Sequence, residues 1–252
     1  MYKIPAKTVL IGKKILSVPE CESTNSLLVA MSQNSVLDEG TIIITDNQTK
    51  GRGQAGNKWI TEPGGNLTFS VLLKPVFLEP SNQFFLNIAV GLALCHAISD
   101  STDHKIWLKW PNDVLVDSKK VCGILIENQI QGQMLSQSVV GIGLNVNQTT
   151  FELPNATSLQ LLTGKEILKE KILETILIRL EAYYNLLRMK KLFNLKNEYY
   201  SVLYWKDEEH QFEVKDGLIS GVIRGIDDVG RLIIDSGKRV LSYNFKEIRF
   251  IR

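Results

Sequence analysis

The segment from Pro80 to Ser99 constrains this chain more than any other. Phe84, Phe85, Ile88, Ala89, Leu92 and Ala93 recur at helical spacing, and Leu86, Val90 and Leu94 cover a second side. A helix apolar on both sides cannot lie on a surface and has to be wrapped by other elements in the centre of a domain. At 252 residues the chain can supply that wrapping in one large domain, or in one domain plus a small appendage.

The wrapping reads as strands. β-branched and alternating apolar patterns predict strands over 14–18, 41–45, 66–74, 106–109, 114–116, 121–127 and 139–146. Asp117-Ser118-Lys119 supplies turn residues between two of them. Ser23-Thr24-Asn25 offers N-cap chemistry before a helical stripe of Leu27, Leu28 and Met31. Thr163 and Glu166 have capping-box spacing, which predicts a helix from there to about Met189 with Leu168, Ile172, Ile176, Leu180, Tyr183 and Leu187 on one face. Residues 190–204 read as a shorter helix or a linker. Beyond them, short strands at 212–214, 218–226, 232–235, 239–243 and 248–251, punctuated by glycines, read as a small closed barrel. The expectation is an α/β domain over 1–203 and a β-barrel domain over 204–252.

Composition narrows the function. Lys+Arg 29 against Asp+Glu 27 gives a net charge of +2, too little for a whole-surface electrostatic case for nucleic acid. No uninterrupted apolar run of bilayer-spanning length stands out, and residues 1–11 show neither an apolar leader core nor a cleavage site, so neither membrane nor export is expected. Cys21, Cys95 and Cys122 lie far apart with no C-x-x-C, which predicts reduced thiols in a cytoplasmic protein. His96, His104 and His210 are scattered, which gives a histidine-based metal or catalytic site little support.

Three segments could carry chemistry. Residues 46–65 hold five glycines in twenty positions and cannot pack a core. Gly51, Gly53 and Gly56 let backbone N–H groups approach an anion, and Arg52 adds a planar fork suited to carboxylate or phosphate. This is neither a Walker A loop nor a Rossmann fingerprint, and alone it reads better as a flexible surface loop. Lys109-Trp110-Pro111-Asn112-Asp113, followed by Lys119-Lys120, exposes polar groups at a strand start, although an Asx turn and a solvated hairpin tip would account for the same residues. Gly141-Ile142-Gly143-Leu144-Asn145 places glycines inside a strand, which marks a bulge or a close approach of backbone or ligand. Asn145 there must find hydrogen bonds in apolar surroundings.

Taken in order, these segments resemble the biotin protein ligases. That family's pattern runs S-T-N, a glycine-rich G-R-G loop, K-W-P-N-D, a lysine followed by a G-[IL]-L-x-E strand, and G-[IA]-G-[IL]-N. Here it reads Ser23 to Asn25, Gly51 to Gly56, Lys109 to Asp113, Lys120 with Gly123 to Glu127, and Gly141 to Asn145. The likeness spans about residues 14–250, with Gly225-Ile226-Asp227 and Gly230-Arg231-Leu232 matching the C-terminal unit. It departs within the family's G-R-G-R-x-G loop at Gln54, which stands where the family has its second arginine, and at its neighbour Ala55, so no second-arginine role carries over. About twenty residues precede Ser23, too few for an N-terminal helix-turn-helix, and the short form without DNA binding is expected.

The resemblance implies a central mixed sheet with flanking helices, class II synthetase-like, plus a small SH3-like barrel. It implies an ATP- and Mg²⁺-dependent enzyme. Biotin's carboxylate attacks the α-phosphate of ATP, and a lysine of a biotin carboxyl carrier protein then takes the biotinyl group from biotinyl-AMP. Biotin contacts fall to Ser23, Thr24, Asn25, Gln48, Gly51, Arg52, Gly53, Gln54, Lys120 and Gly123, and nucleotide contacts to Trp59, Asn112, Asn145 and Lys120. Arg52 and Lys120 are expected to meet the negative charge, with Asp113 orienting Lys120 or activating the incoming lysine. Residues 46–64 and 148–155 are expected to be mobile until ligand binds, and a sheet edge to serve homodimer formation or carrier docking. Lipoate protein ligases share the adenylate strategy but lack K-W-P-N-D.

Overall fold

The structure, a computed structural model, describes residues 7–251. The first part of the 1–11 reading lies outside the described residues. Seven strands form the main sheet: β1 (Ile15–Cys21), β2 (Ile42–Gln48), β3 (Leu67–Leu73), β4 (Ile106–Lys109), β5 (Asp113–Val116), β6 (Lys119–Gln131) and β7 (Met134–Leu144). Their order is β1-β2-β3-β7-β6-β5-β4; β1 and β2 are parallel and the other neighbours antiparallel. Helix α1 (Thr24–Asn34) makes the one parallel crossover, as a parallel pair requires.

Both faces of the sheet are covered. Leu28 of α1 packs with Ile43, Leu72 and Val139 in a small core on one side. Leu67, Phe69, Val71 and Leu73 point into the large core on the other, with α2 (Phe84–Ser99), α4 (Lys169–Arg188) and α5 (Leu192–Ser201). That two-sided cover is why every residue of β3 is buried. The central apolar helix is α2, buried along most of its length. With its 3₁₀ lead-in it forms one 20-residue segment, Pro80–Ser99, whose length and mean hydropathy of 1.3 would suffice to cross a membrane; the strand-by-strand reading of apolar runs did not register this. Two-thirds of it is buried inside the fold, the signature of a core helix.

The Thr163–Glu166 capping box does not form. Thr163 ends a short helix, α3 (Leu159–Thr163), and Gly164 takes the left-handed C-cap conformation at φ +69°. Helix α4 starts later, at Lys169, with Leu168 as an exposed N-cap residue, and it buries Tyr184 more deeply than Tyr183.

The C-terminal unit holds β8 (Glu209–Val214), β9 (Gly217–Ile226), β10 (Leu232–Asp235), β11 (Val240–Tyr243) and β12 (Ile248–Phe250), in the order β11-β10-β9-β8-β12. Its buried side chains, Phe212, Ile223, Ile226, Leu232, Ile234 and Ile248, belong to the same continuous core as the large sheet. The Trp110 indole N–H donates to Gly230 O at 2.9 Å, and the Tyr200 hydroxyl both donates to Ile226 O and accepts from its N–H, at 3.1 and 3.2 Å. These contacts fix the small sheet against the end of the large one, beside the ends of β4 and β5.

Candidate active site

A cleft of about 290 Å³ opens over the β3-β7-β6-β5 part of the sheet. One end is built on the start of α1. Ser23 is its N-cap, and Ser23, Thr24 and Asn25 are all buried. The Gln48 carbonyl at the end of β2 accepts from the Thr24 N–H at 2.8 Å and from its hydroxyl at 3.2 Å, which leaves the amino end of Gln48 for another acceptor. Ser70 Oγ on β3 donates to Asn25 Oδ1 at 2.6 Å and meets Thr24 Oγ1 at 2.7 Å. The Asn25 amide donates to Leu125 O and to Glu127 Oε2. Buried polar groups are costly unless paired, and here they pair with one another into a rigid floor.

Glycines set the depth of that floor. A Cβ on Gly141 would lie 2.4 Å from Asn25 Oδ1, and one on Gly143 would lie 2.3 Å from the Trp59 indole. Gly123 pairs directly across the strands with Gly143, and together they make a flat patch on which the Trp59 ring lies. The strand glycines thus admit a close approach, by Asn25 at one position and by Trp59 at the other.

The glycine-rich loop forms the other wall. Apart from a short 3₁₀ turn, Gln54–Gly56, its bonds between 51 and 59 are mostly its own: Gly53 N–H to Asn57 O, Trp59 N–H to Gly51 O, and an Arg52–Lys58 bridge. Arg52 reaches Glu127 Oε2 at 2.6 Å. The Trp59 indole N–H is buried in the cleft with no hydrogen-bond acceptor. Across from it, Lys120 Nζ sits 2.6 Å from Asp113 Oδ1 and 5.5 Å from the Trp59 ring.

Of the residues singled out from sequence, Ser23, Thr24, Asn25, Gln48, Arg52, Gly53, Gln54, Trp59, Asn112, Asp113, Lys120 and Gly123 all line this cleft. Arg52 and Lys120 therefore share one cavity. Gly51 is buried against Gln48 and Trp59 and lines an adjoining depression that shares Gln48, Arg52 and Trp59 with the cleft. Asn145 is buried off the wall, where its amide donates to Thr157 O and ties down the chain after 146. Asn112 donates to Ile124 O at 2.7 Å. Cys122, between Lys120 and the glycine floor, is fully buried, and burial pushes its thiol well above the usual range; Cys95 behaves the same way. Neither is placed to act as a nucleophile.

Sequence reasoning missed one wall. Phe245, Lys246, Ile248, Arg249 and Phe250 of the small sheet close the cleft from the C-terminal side. Phe245 packs on Trp110 at 5.1 Å, and Lys109 Nζ sits 4.7 Å from the Phe250 ring. Among the described residues no group of three or more His, Cys, Asp or Glu gathers to hold a metal.

Comparison with known proteins places this geometry. The model of the biotin/lipoate A/B protein ligase family matches residues 18–145. The biotin–[acetyl-CoA-carboxylase] ligase of Mycobacterium tuberculosis is 30% identical over 243 residues, covering 93% of this chain and 88% of that protein. The bifunctional ligase/repressor BirA of Bacillus subtilis is 28% identical, over 93% of this chain and 73% of its own length. Among solved structures, the biotin protein ligase from Aquifex aeolicus in complex with biotin and ATP superposes with a TM-score of 0.80 at 30% identity, covering 95% of this chain and 99% of that one. Motif order, cleft and similarity across nearly the whole chain agree, and the protein belongs to the biotin protein ligase family.

Proposed function

We propose that in this ATP-dependent ligase the rigid end of the cleft holds the biotin ring and the pliable end manages charge. Biotin is a neutral ureido ring on an apolar body, so it suits a pocket with a few convergent polar groups. Ser23, Thr24 and the free amino end of Gln48 receive the ureido group, over the floor that Asn25 supports. The valeryl chain runs alongside the Trp59 ring, which itself occupies the Gly123–Gly143 patch, and the carboxylate ends between Arg52 and Lys120.

ATP enters on the Asn112, Asp113 and Lys120 side. A biotin carboxylate oxygen attacks the α-phosphorus and the bond to pyrophosphate breaks. Lys120, Arg52 and the loop N–H groups meet the negative charge that builds as two anions approach. Magnesium would come with the nucleotide as its counterion. Asp113 holds Lys120 in place through its 2.6 Å ion pair. In the second step the ε-amine of an acceptor lysine, having lost its proton, attacks the biotinyl carbonyl carbon and AMP leaves. The acceptor is a lysine of a biotin carboxyl carrier protein.

The Trp59 N–H, buried without an acceptor, has a donor to offer a bound ligand, and its ring covers the mixed anhydride against water. We place the enzyme in the cytoplasm, where free thiols at Cys21, Cys95 and Cys122 are stable.

One observation carries this reading: Arg52, Lys120, the glycine floor and the Thr24–Gln48 pair line a single cleft. The test is mass spectrometry of a purified carrier domain after incubation with the enzyme, ATP, Mg²⁺ and either biotin or lipoate. A single biotinyl adduct on one lysine is expected. No adduct, or a lipoyl adduct instead, would overturn it.

A further inference from the structure

The family motif ends its lysine strand on Glu127, to which neither the sequence pattern nor the proposed chemistry gives a role. We infer that Glu127 is a positioning residue for Arg52, linking the glycine-rich loop to the biotin-ring end of the cleft. The inference rests on the biotin-carboxylate role given to Arg52 above.

The geometry is continuous. Glu127 Oε2 accepts from Arg52 Nη2 at 2.6 Å and from Asn25 Nδ2 at 2.8 Å. Asn25 Oδ1 accepts from the Ser70 hydroxyl, Ser70 Oγ lies 2.7 Å from Thr24 Oγ1, and the Thr24 N–H donates to Gln48 Oε1. One chain of polar contacts therefore runs from the group that receives the neutral ring to the cation that receives the carboxylate. Between Gly51 and Thr61, the Arg52–Glu127 pair is the side-chain ion pair that leaves the loop for the sheet, among the described residues. Gln48, by contrast, is held from within the rigid end.

A carboxylate beside Arg52 could be thought to quench it. The guanidinium carries five N–H donors, and one of the two at Nη2 is committed here, so the rest of the fork remains for a second carboxylate. Glu127 thus fixes the direction of the guanidinium without using it up. An unheld arginine on a glycine-rich segment would lose side-chain and backbone freedom at the moment of binding, a cost that preorganisation removes. Arg52 and Glu127 are both partly exposed, at 43% and 35%. Such a pair adds little to fold stability, so its effect should fall on binding.

The test is a double-mutant cycle read by biotin-dependent ATP–pyrophosphate exchange. Glu127→Ala should raise the KM for biotin about tenfold while kcat stays within about threefold. Glu127→Gln, which keeps an acceptor for Arg52, should recover most of that loss. Arg52→Ala should raise the KM further, and Arg52→Ala/Glu127→Ala should be no worse than Arg52→Ala alone. Losses that multiply in the double variant would show two independent residues and overturn the inference while leaving the site reading intact. An Arg52→Ala enzyme with unchanged biotin KM would remove the role of Arg52 itself, and that of Glu127 with it.

Discussion

The two ends of the cleft are built on different principles. At the α1 end, Ser23, Thr24, Asn25 and Ser70 are buried; Thr24, Asn25 and Ser70 contact one another or Gln48, and Ser23 caps the helix by accepting from the Ser26 N–H. At the loop end, Arg52, Gly56, Asn57 and Lys58 are exposed and the backbone bonds mainly to itself. The first end can recognise a neutral ring only if it is already shaped, because a buried dipole that must reorient is costly. On the proposed mechanism the second admits the substrate, neutralises charge and then excludes water, which calls for a segment that can move. That proposal separates recognition and charge management in space, so the two should also separate under mutation.

The largest expected effect lies on the charged side. Lys120→Ala should lower the rate of biotin-dependent pyrophosphate exchange by about 10²–10³-fold, the usual loss when a donor aimed at developing charge is removed. Lys120 side-chain packing contributes little to the core, so circular dichroism and the melting curve should be unchanged. A rate near wild type would show that the loop alone manages the charge.

The sharpest contrast comes from two glycines on one strand. A methyl on Gly141 would meet Asn25 Oδ1 at 2.4 Å, and one on Gly143 would meet the Trp59 ring at 2.3 Å. The overlaps are nearly equal; the neighbours are not. Asn25 is locked by Ser70, Leu125 and Glu127, so Gly141→Ala has no cheap relief and should cost about 1–3 kcal/mol of stability, read as a fall in melting temperature. Trp59 belongs to the loop, so Gly143→Ala should displace the ring, leave the melting temperature near wild type, and raise both the biotin KM and loop cleavage in limited proteolysis. Equal loss of stability in the two variants would break the distinction between the ends.

The same contrast explains what could be read from the sequence. Gly141 and Gly143 stand out as positions of close approach because glycine in an apolar strand is locally expensive; the sequence could not say that one admits Asn25 and the other Trp59. Alternation found β3 almost to the residue, 66–74 against Leu67–Leu73, because one face meets the large core while Thr68 and Ser70 on the other meet the polar cleft floor. Thr163–Glu166 misled because the capping-box spacing is a local signal, and Gly164, which ends the preceding helix, won. The wall from Phe245 to Phe250 left no trace, since it reaches the cleft through tertiary contacts such as Trp110 to Gly230, 120 positions apart. Glu127 was legible as part of a motif, but its partners were not.

The smallest expected effect concerns how the pliable end is hinged. Lys169 Nζ, on the first residue of α4, donates to Gly64 O at 2.6 Å and to Asp46 Oδ1 at 3.1 Å, while the Gly64 N–H donates to Asp46 O. One ammonium thus clasps both ends of the loop. Immediately after the clasp, Asn66 donates to Gln148 Oε1 at 2.6 Å and the Asn147 N–H donates to Gly65 O, so the second segment begins where the first is anchored. Lys169→Ala should not disturb the α1 end. It should increase protease cleavage within 46–64 and raise the KM for biotin and for ATP together by about threefold, because both covering segments share the loosened base. A rise confined to biotin would mean that the two segments move independently and that the clasp serves the loop alone. An unchanged enzyme would place the hinge stiffness in the Asn66–Gln148 contact, where Gln148→Ala should then produce the joint effect.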